Sequence, residues 1–140
     1  MRDHPVRVLS AFLSLIAASA AAQSPLPAAS KVSVQLAAEQ TLSAGSHAAI
    51  EVIVELPEGN DSPLLLTPSL EGDAVEVVRG RLSRPDGKAV AGPGIRLRFE
   101  VPIRARSEGT AILHVDVMTY VCSRTCQRVL LRGSQVLRVR

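Results

Sequence analysis

Residues 115–140 read VDVMTYVCSRTCQRVLLRGSQVLRVR. This stretch holds the only two cysteines, Cys122 and Cys126, between two runs that read as β-strands. A strand advances about 3.3 Å per residue, so extended backbone would set those Cα atoms roughly 13 Å apart. A disulfide needs Cα atoms about 4.4–6.8 Å apart. If the pair is bonded, Cys122-Ser123-Arg124-Thr125-Cys126 must be a turn or a single helical turn. Its intervening residues are polar and allow either.

Working outward, the segment after Cys126 reads as a strand at Val129–Leu131, a turn at Gly133-Ser134 and a last strand at Val136–Val139. Before Cys122, Ala111, Leu113, Val115 and Val117 alternate with Ile112, His114, Asp116 and Met118, the period-2 signature of a half-buried strand. The clearest such pattern is Leu97, Phe99, Val101 and Ile103 against Arg96, Arg98, Glu100 and Arg104. Pro102 there suggests an edge position or a bulge. Further strands are expected around Val32–Leu36, Ile50–Leu56, Leu64–Leu66 and Val75–Arg81. Ala37–Gly45 is ambiguous. Residues 57–63 (PEGNDSP) and 84–94 (RPDGKAVAGPG) read as loops. Seven or eight short strands, frequent turn signals and no helical period predict an all-β chain, an antiparallel β-sandwich of immunoglobulin-like type.

The start of the chain has the form of a secretory signal. A mildly basic MRDHPVR precedes the apolar run Val8–Ala18 and the small residues Ala20-Ala21-Ala22. Residues 1–22 are expected to be the signal peptide, 23–30 a flexible lead-in and 31–140 the folded domain. The apolar run is short for a membrane span, and none is expected after cleavage. Export, to the periplasm or beyond, would place both cysteines where a disulfide is the default.

Charge is uneven. Between Gln23 and Ile95 acids outnumber bases nine to five; from Arg96 onward bases outnumber acids nine to three. Only Phe99 and Tyr120 remain as aromatics after cleavage, so base stacking has little to work with and nucleic acid is not an expected partner.

The chemistry concentrates on Cys122 and Cys126. One reading is a structural staple across a turn, in which a five-residue ring contributes roughly 2 kcal/mol in the chain-entropy model. A second is a redox-active pair, with Arg124 and Arg128 nearby to favour thiolate. A third is a Cu(I) site, because His114, Met118, Cys122 and Cys126 recur at intervals of four; a zinc site would need further ligands, and only His47 remains. A predicted strand spreads His114 and Met118 rather than gathering them, so no metal and no cofactor is assigned. No Gly-x-Ser-x-Gly elbow supplies a serine nucleophile. Glu51/Glu55 and Asp73/Glu76 read as solvated faces.

The chain also resembles a known family. Ser43-Ala44-Gly45 before an alternating strand and Leu56-Pro57-Glu58-Gly59, the strand Leu97–Ile103 with Val101-Pro102, and Thr119-Tyr120-Val121-Cys122 with Cys126 and a closing strand pair carry the resemblance. Together they look like the N-terminal periplasmic domain of the thiol:disulfide interchange protein DsbD, an immunoglobulin-like domain with a redox-active cysteine pair. The cysteine spacing is shorter here than in the best-known members. The resemblance implies thiol–disulfide exchange through Cys122 and Cys126, with a membrane electron hub or an exported thiol oxidoreductase as partner. The competing expectation is a non-catalytic interaction module whose disulfide fixes a turn.

Overall fold

The computed structural model describes residues 31–140. The expected signal peptide at 1–22 and lead-in at 23–30 lie outside the described residues. Ten strands follow in order: β1 Ser33–Gln35, β2 Glu39–Leu42, β3 His47–Leu56, β4 Leu65–Glu71, β5 Val75–Val77, β6 Leu82–Ser83, β7 Lys88–Ala89, β8 Ile95–Ala105, β9 Gly109–Cys122 and β10 Cys126–Val139. One sheet runs β1-β3-β8-β5, with β7 also on β8; the other runs β2-β10-β9-β4-β6. The two form a β-sandwich of immunoglobulin-like type.

Period-2 patterning decides which face each strand buries. Ile50, Val52, Val54, Phe99, Val101 and Ile103 from the first sheet are fully buried against Leu66, Leu113, Val115, Val117 and Leu137 from the second. A slip of one residue in either sheet would turn these apolar sets to solvent, so the register is strongly specified. Phe99 is the largest of the fully buried side chains and the aromatic centre of an otherwise aliphatic core.

Five local expectations change. Gly133-Ser134 is not a turn: β10 runs unbroken from Cys126 to Val139, and Gly133 pairs with Val115. The glycine is there for space. A Cβ on it would overlap Leu36 Cδ1 and come within 3.0 Å of Val34 Cγ1, side chains that cross β10 at that point. Ala37–Gly45 resolves into β2, which lies parallel to β10, so the sandwich is not wholly antiparallel. The strand expected at Val75–Arg81 covers only Val75–Val77, and the loop at 84–94 contains a 3-10 turn and β7.

Pro102 does not mark an edge, because β8 is flanked by β3 and by β5 and β7. The Pro102 carbonyl accepts from the Val78 N–H at 2.9 Å. In an antiparallel strand a residue's N and O point to the same side. The missing N–H therefore falls on the flank between β5 and β7, where the ladder is interrupted, and not on the β3 ladder.

Candidate functional site

β9 and β10 form a long hairpin in which Cys122 and Cys126 are direct cross-strand partners. A Cys122–Cys126 disulfide joins them with Cα atoms 3.9 Å apart. Ser123, Arg124 and Thr125 make the tip, closed by a Ser123 N–H to Thr125 carbonyl bond of 3.1 Å. The turn required by the bonded pair is thus a hairpin loop. Every residue from Cys122 to Arg128 is exposed, so the disulfide sits outside the core.

One side of the pair is walled by the loop between β3 and β4. Gly59, at φ 76°, lets Pro57–Asn60 close as a tight turn, with Asn60 N–H bonded to the Pro57 carbonyl at 3.1 Å. Arg84 then bolts the loop in place. Its guanidinium donates to Asn60 Oδ1 at 2.9 Å, the Asn60 carbonyl at 2.6 Å and the Ser62 carbonyl at 2.8 Å. Asn60 Nδ2 passes the connection on to the Tyr120 carbonyl at 3.0 Å. Thr119, fully buried, donates its hydroxyl to the Pro63 carbonyl at 2.9 Å. The loop is therefore tied to β9 just ahead of Cys122.

Arg84 is itself aimed by a capped 3-10 turn, Arg84–Asp86. The Asp86 carboxylate accepts from the Ser83 N–H at 2.8 Å and from Arg79 at 3.1 Å. The Ser83 backbone donor, more than Arg79, holds the Asp86 carboxyl below its ordinary value.

These contacts bring the Ser62 hydroxyl to 3.8 Å from Cys122 Sγ. A cleft of about 300 Å³ opens beside them, lined among others by Lys31, Glu58, Asp61, Ser62, Val121 and Cys122. Among the described residues, the lining of that cleft includes Cys122 and not Cys126. Of these residues the sequence reading gave a chemical role only to the two cysteines, with Glu58, Thr119 and Val121 entering as parts of the motifs that carry the resemblance. Asn60, Ser62 and Arg84 are common residue types in loops, and nothing in their spacing pointed to Cys122.

The other candidate residues are not gathered. His114 and Met118 lie along β9 at successive four-residue steps before Cys122, and His47 lies on β3 in the opposite sheet. His114 Nδ1 is 2.7 Å from Ser134 Oγ, and its Nε2 is 3.4 Å from Glu71. Asp116 shares its outward face but is engaged by Arg132 at 2.7 and 3.1 Å. That guanidinium keeps the Asp116 carboxyl below its ordinary value. The two thiol sulfurs of that reading, Cys122 and Cys126, are bonded to each other. Among the described residues no group of three or more His, Cys, Asp or Glu is placed to hold a metal ion. Among them, too, no helix is long and apolar enough to cross a membrane.

No protein-family model and no curated protein matches the chain. Solved structures do. A fragment of native alpha-2-macroglobulin from Escherichia coli, from domain MG7 to the C-terminus, matches at TM-score 0.52 and 16% identity over 78% of this chain. Trypsin-activated alpha-2-macroglobulin from the same organism matches at TM-score 0.51 and 16% identity over 78% of this chain. This chain spans 16% and 7% of those two chains, respectively. The ASH / PapD-like domain 7 of human CEP192 is similar at TM-score 0.48 and 12% identity, over 97% of this chain and 98% of that one. At such identities the likeness to the alpha-2-macroglobulin structures is one of fold alone.

Proposed function

We propose that this protein is an exported thiol–disulfide exchange domain of the DsbD N-terminal kind, working through Cys122 and Cys126. The kinship rests on the sequence motifs described above; the structural likenesses are to other domains. The observation that carries the proposal is the placement of the disulfide. It lies on an exposed hairpin tip, and a loop held by Arg84 and Asn60 sets the Ser62 hydroxyl 3.8 Å from Cys122 Sγ, with no such contact to Cys126 among the described residues. A staple needs neither exposure nor a positioned hydroxyl.

The asymmetry gives each sulfur a role. A partner thiolate attacks Cys126 Sγ, the sulfur that does not line the cleft. A new partner–Cys126 disulfide forms, the Cys122–Cys126 bond breaks and its electron pair leaves on Cys122 as thiolate. The Ser62 hydroxyl donates to that thiolate as charge develops, which lowers the barrier by stabilising the leaving group. A second partner thiolate then attacks its own sulfur in the mixed disulfide and releases Cys126 as thiolate. The partner dithiol ends as a disulfide and the pair as two thiols. Run in reverse, the same steps reduce an oxidised partner.

The test is the reduction potential of the pair, measured by equilibration with glutathione or dithiothreitol. A value above about −300 mV supports exchange. A value below it places the bond with inert structural bridges and leaves the interaction-module reading in its place.

A further inference from the structure

The outward face of the sheet beside the disulfide has a composition that exchange chemistry alone does not explain. Leu65, Met118 and Leu130 stand in one register row across β4, β9 and β10. The next row toward the tip is Tyr120 with Arg128, and the one after it is Cys122 with Cys126. Leu130 is 61% exposed and Tyr120 37%, two of the three large apolar side chains left in solvent among the described residues. A water-facing apolar row that leads to a reactive bond is a contact surface in shape and chemistry.

Charge says what covers it. No Asp or Glu occurs from Val117 to the end of the chain. Arg132 is neutralised by Asp116, and Arg138 by Glu39. Arg124 and Arg128, which flank Cys126, make no ion pair among the described residues. Glu58 and Asp61 line the cleft beside Cys122, on the opposite flank, together with Lys31. The face at Arg128, Tyr120 and Leu130 is therefore basic and apolar, while the cleft at Cys122 carries two carboxylates and one ammonium.

We infer that this face docks a thiol-bearing protein segment whose reactive cysteine is flanked by an apolar residue and by carboxylates. The inference rests on the exchange reading and adds the partner's chemistry to it. Tyr120 and Leu130 receive the apolar residue. Arg124 and Arg128 pair with the carboxylates and steer the thiolate to Cys126. Glu58 and Asp61 outnumber Lys31 in the cleft, so the Cys122 side is the less favourable approach for the same carboxylates.

The experiment follows reduction of the purified, oxidised protein by three short cysteine peptides, with Glu-Leu-Cys-Glu, Lys-Leu-Cys-Lys and Gly-Gly-Cys-Gly cores, and by dithiothreitol. At low salt the Glu peptide is expected to react about fivefold to tenfold faster than the Lys peptide, after correction for each peptide's thiolate fraction. The advantage should fade as salt shortens the screening length. The Arg124→Glu/Arg128→Glu variant should reverse the preference, and Leu130→Ser should remove the advantage of Leu-containing over Gly-containing peptides. Equal rates for the charged peptides, with dithiothreitol still reducing the bond, would overturn the docking inference and spare exchange. Failure of dithiothreitol at potentials near −300 mV would sink the exchange reading itself. Binding to phosphatidylglycerol vesicles without peptide discrimination would assign the face to a membrane surface and equally overturn the inference.

Discussion

Asn60 donates a 3.0 Å hydrogen bond to the carbonyl of Tyr120, two residues ahead of Cys122. Its own side-chain oxygen accepts from Arg84 at 2.9 Å. One amide thus couples a loop, a 3-10 turn and the disulfide-bearing hairpin. Replacing Arg84 with Gln removes a guanidinium that makes three hydrogen bonds. The expected cost is about 2 kcal/mol. Hydrogen exchange at residues 57–63 should rise further than in the core strands, which a mass-spectrometric exchange experiment reads directly.

Ser62 separates a catalytic from a structural role for that loop. Among the described residues, its hydroxyl has one side-chain partner within reach, Cys122 Sγ. Ser62→Ala should leave the melting temperature nearly unchanged. It should slow attack by a small thiol about threefold to tenfold, the rate equivalent of roughly 0.5–1.5 kcal/mol. Stopped-flow reduction checks this, and an unchanged rate would remove Ser62 from the exchange step.

The single-cysteine variants test the direction of attack. With Cys126 as the sulfur that bonds to the partner, Cys122→Ser should accumulate a mixed disulfide that nothing in the chain resolves. Cys126→Ser should accumulate far less. Non-reducing electrophoresis after mixing with an activated thiol peptide gives the ratio, and equal trapping contradicts the assignment.

Gly133 tests the packing between the sheets. Gly133→Ala puts a methyl into Leu36 and Val34, overpacking that should cost about 1–3 kcal/mol. Pairing Gly133→Ala with Leu36→Ala should recover part of the loss, because the clash and the vacated space lie together. Urea denaturation of the single and double variants measures the coupling.

Asp116 supplies an acid-side signature. Arg132 lowers its carboxyl from 3.8 in the folded protein. A depressed carboxyl contributes stability above its unfolded value, and that contribution is lost as pH falls through the folded value. Melting temperatures of the wild type and Asp116→Asn should differ slightly at pH 6, with the wild type higher. They should converge below pH 3.8. The pair is exposed, so the difference should also shrink with salt.

The sequence reading located the main strands because their alternation is local. Leu97–Ile103 and Ala111–Val117 show their buried faces residue by residue, and those residues are buried as expected. It failed where the cause was distant. Gly133 looks like a turn residue until Val34 and Leu36 are seen crossing it. Pro102 looks like an edge residue until its empty N–H position is seen to fall on a broken ladder.

For the site, the four-residue spacing of the cysteines by itself determined that a bonded pair needs a bend, since chain geometry forbids an extended link. The sequence also determined the charge balance of the C-terminal half, because composition does not depend on folding. Only the tertiary structure decided that the bend is a hairpin tip, that Ser62 stands beside Cys122 and that Arg124 and Arg128 have no ion pair among the described residues. Those facts join positions as far as 60 residues apart. Such contacts follow from how two sheets pack and where their loops meet, which no local pattern encodes.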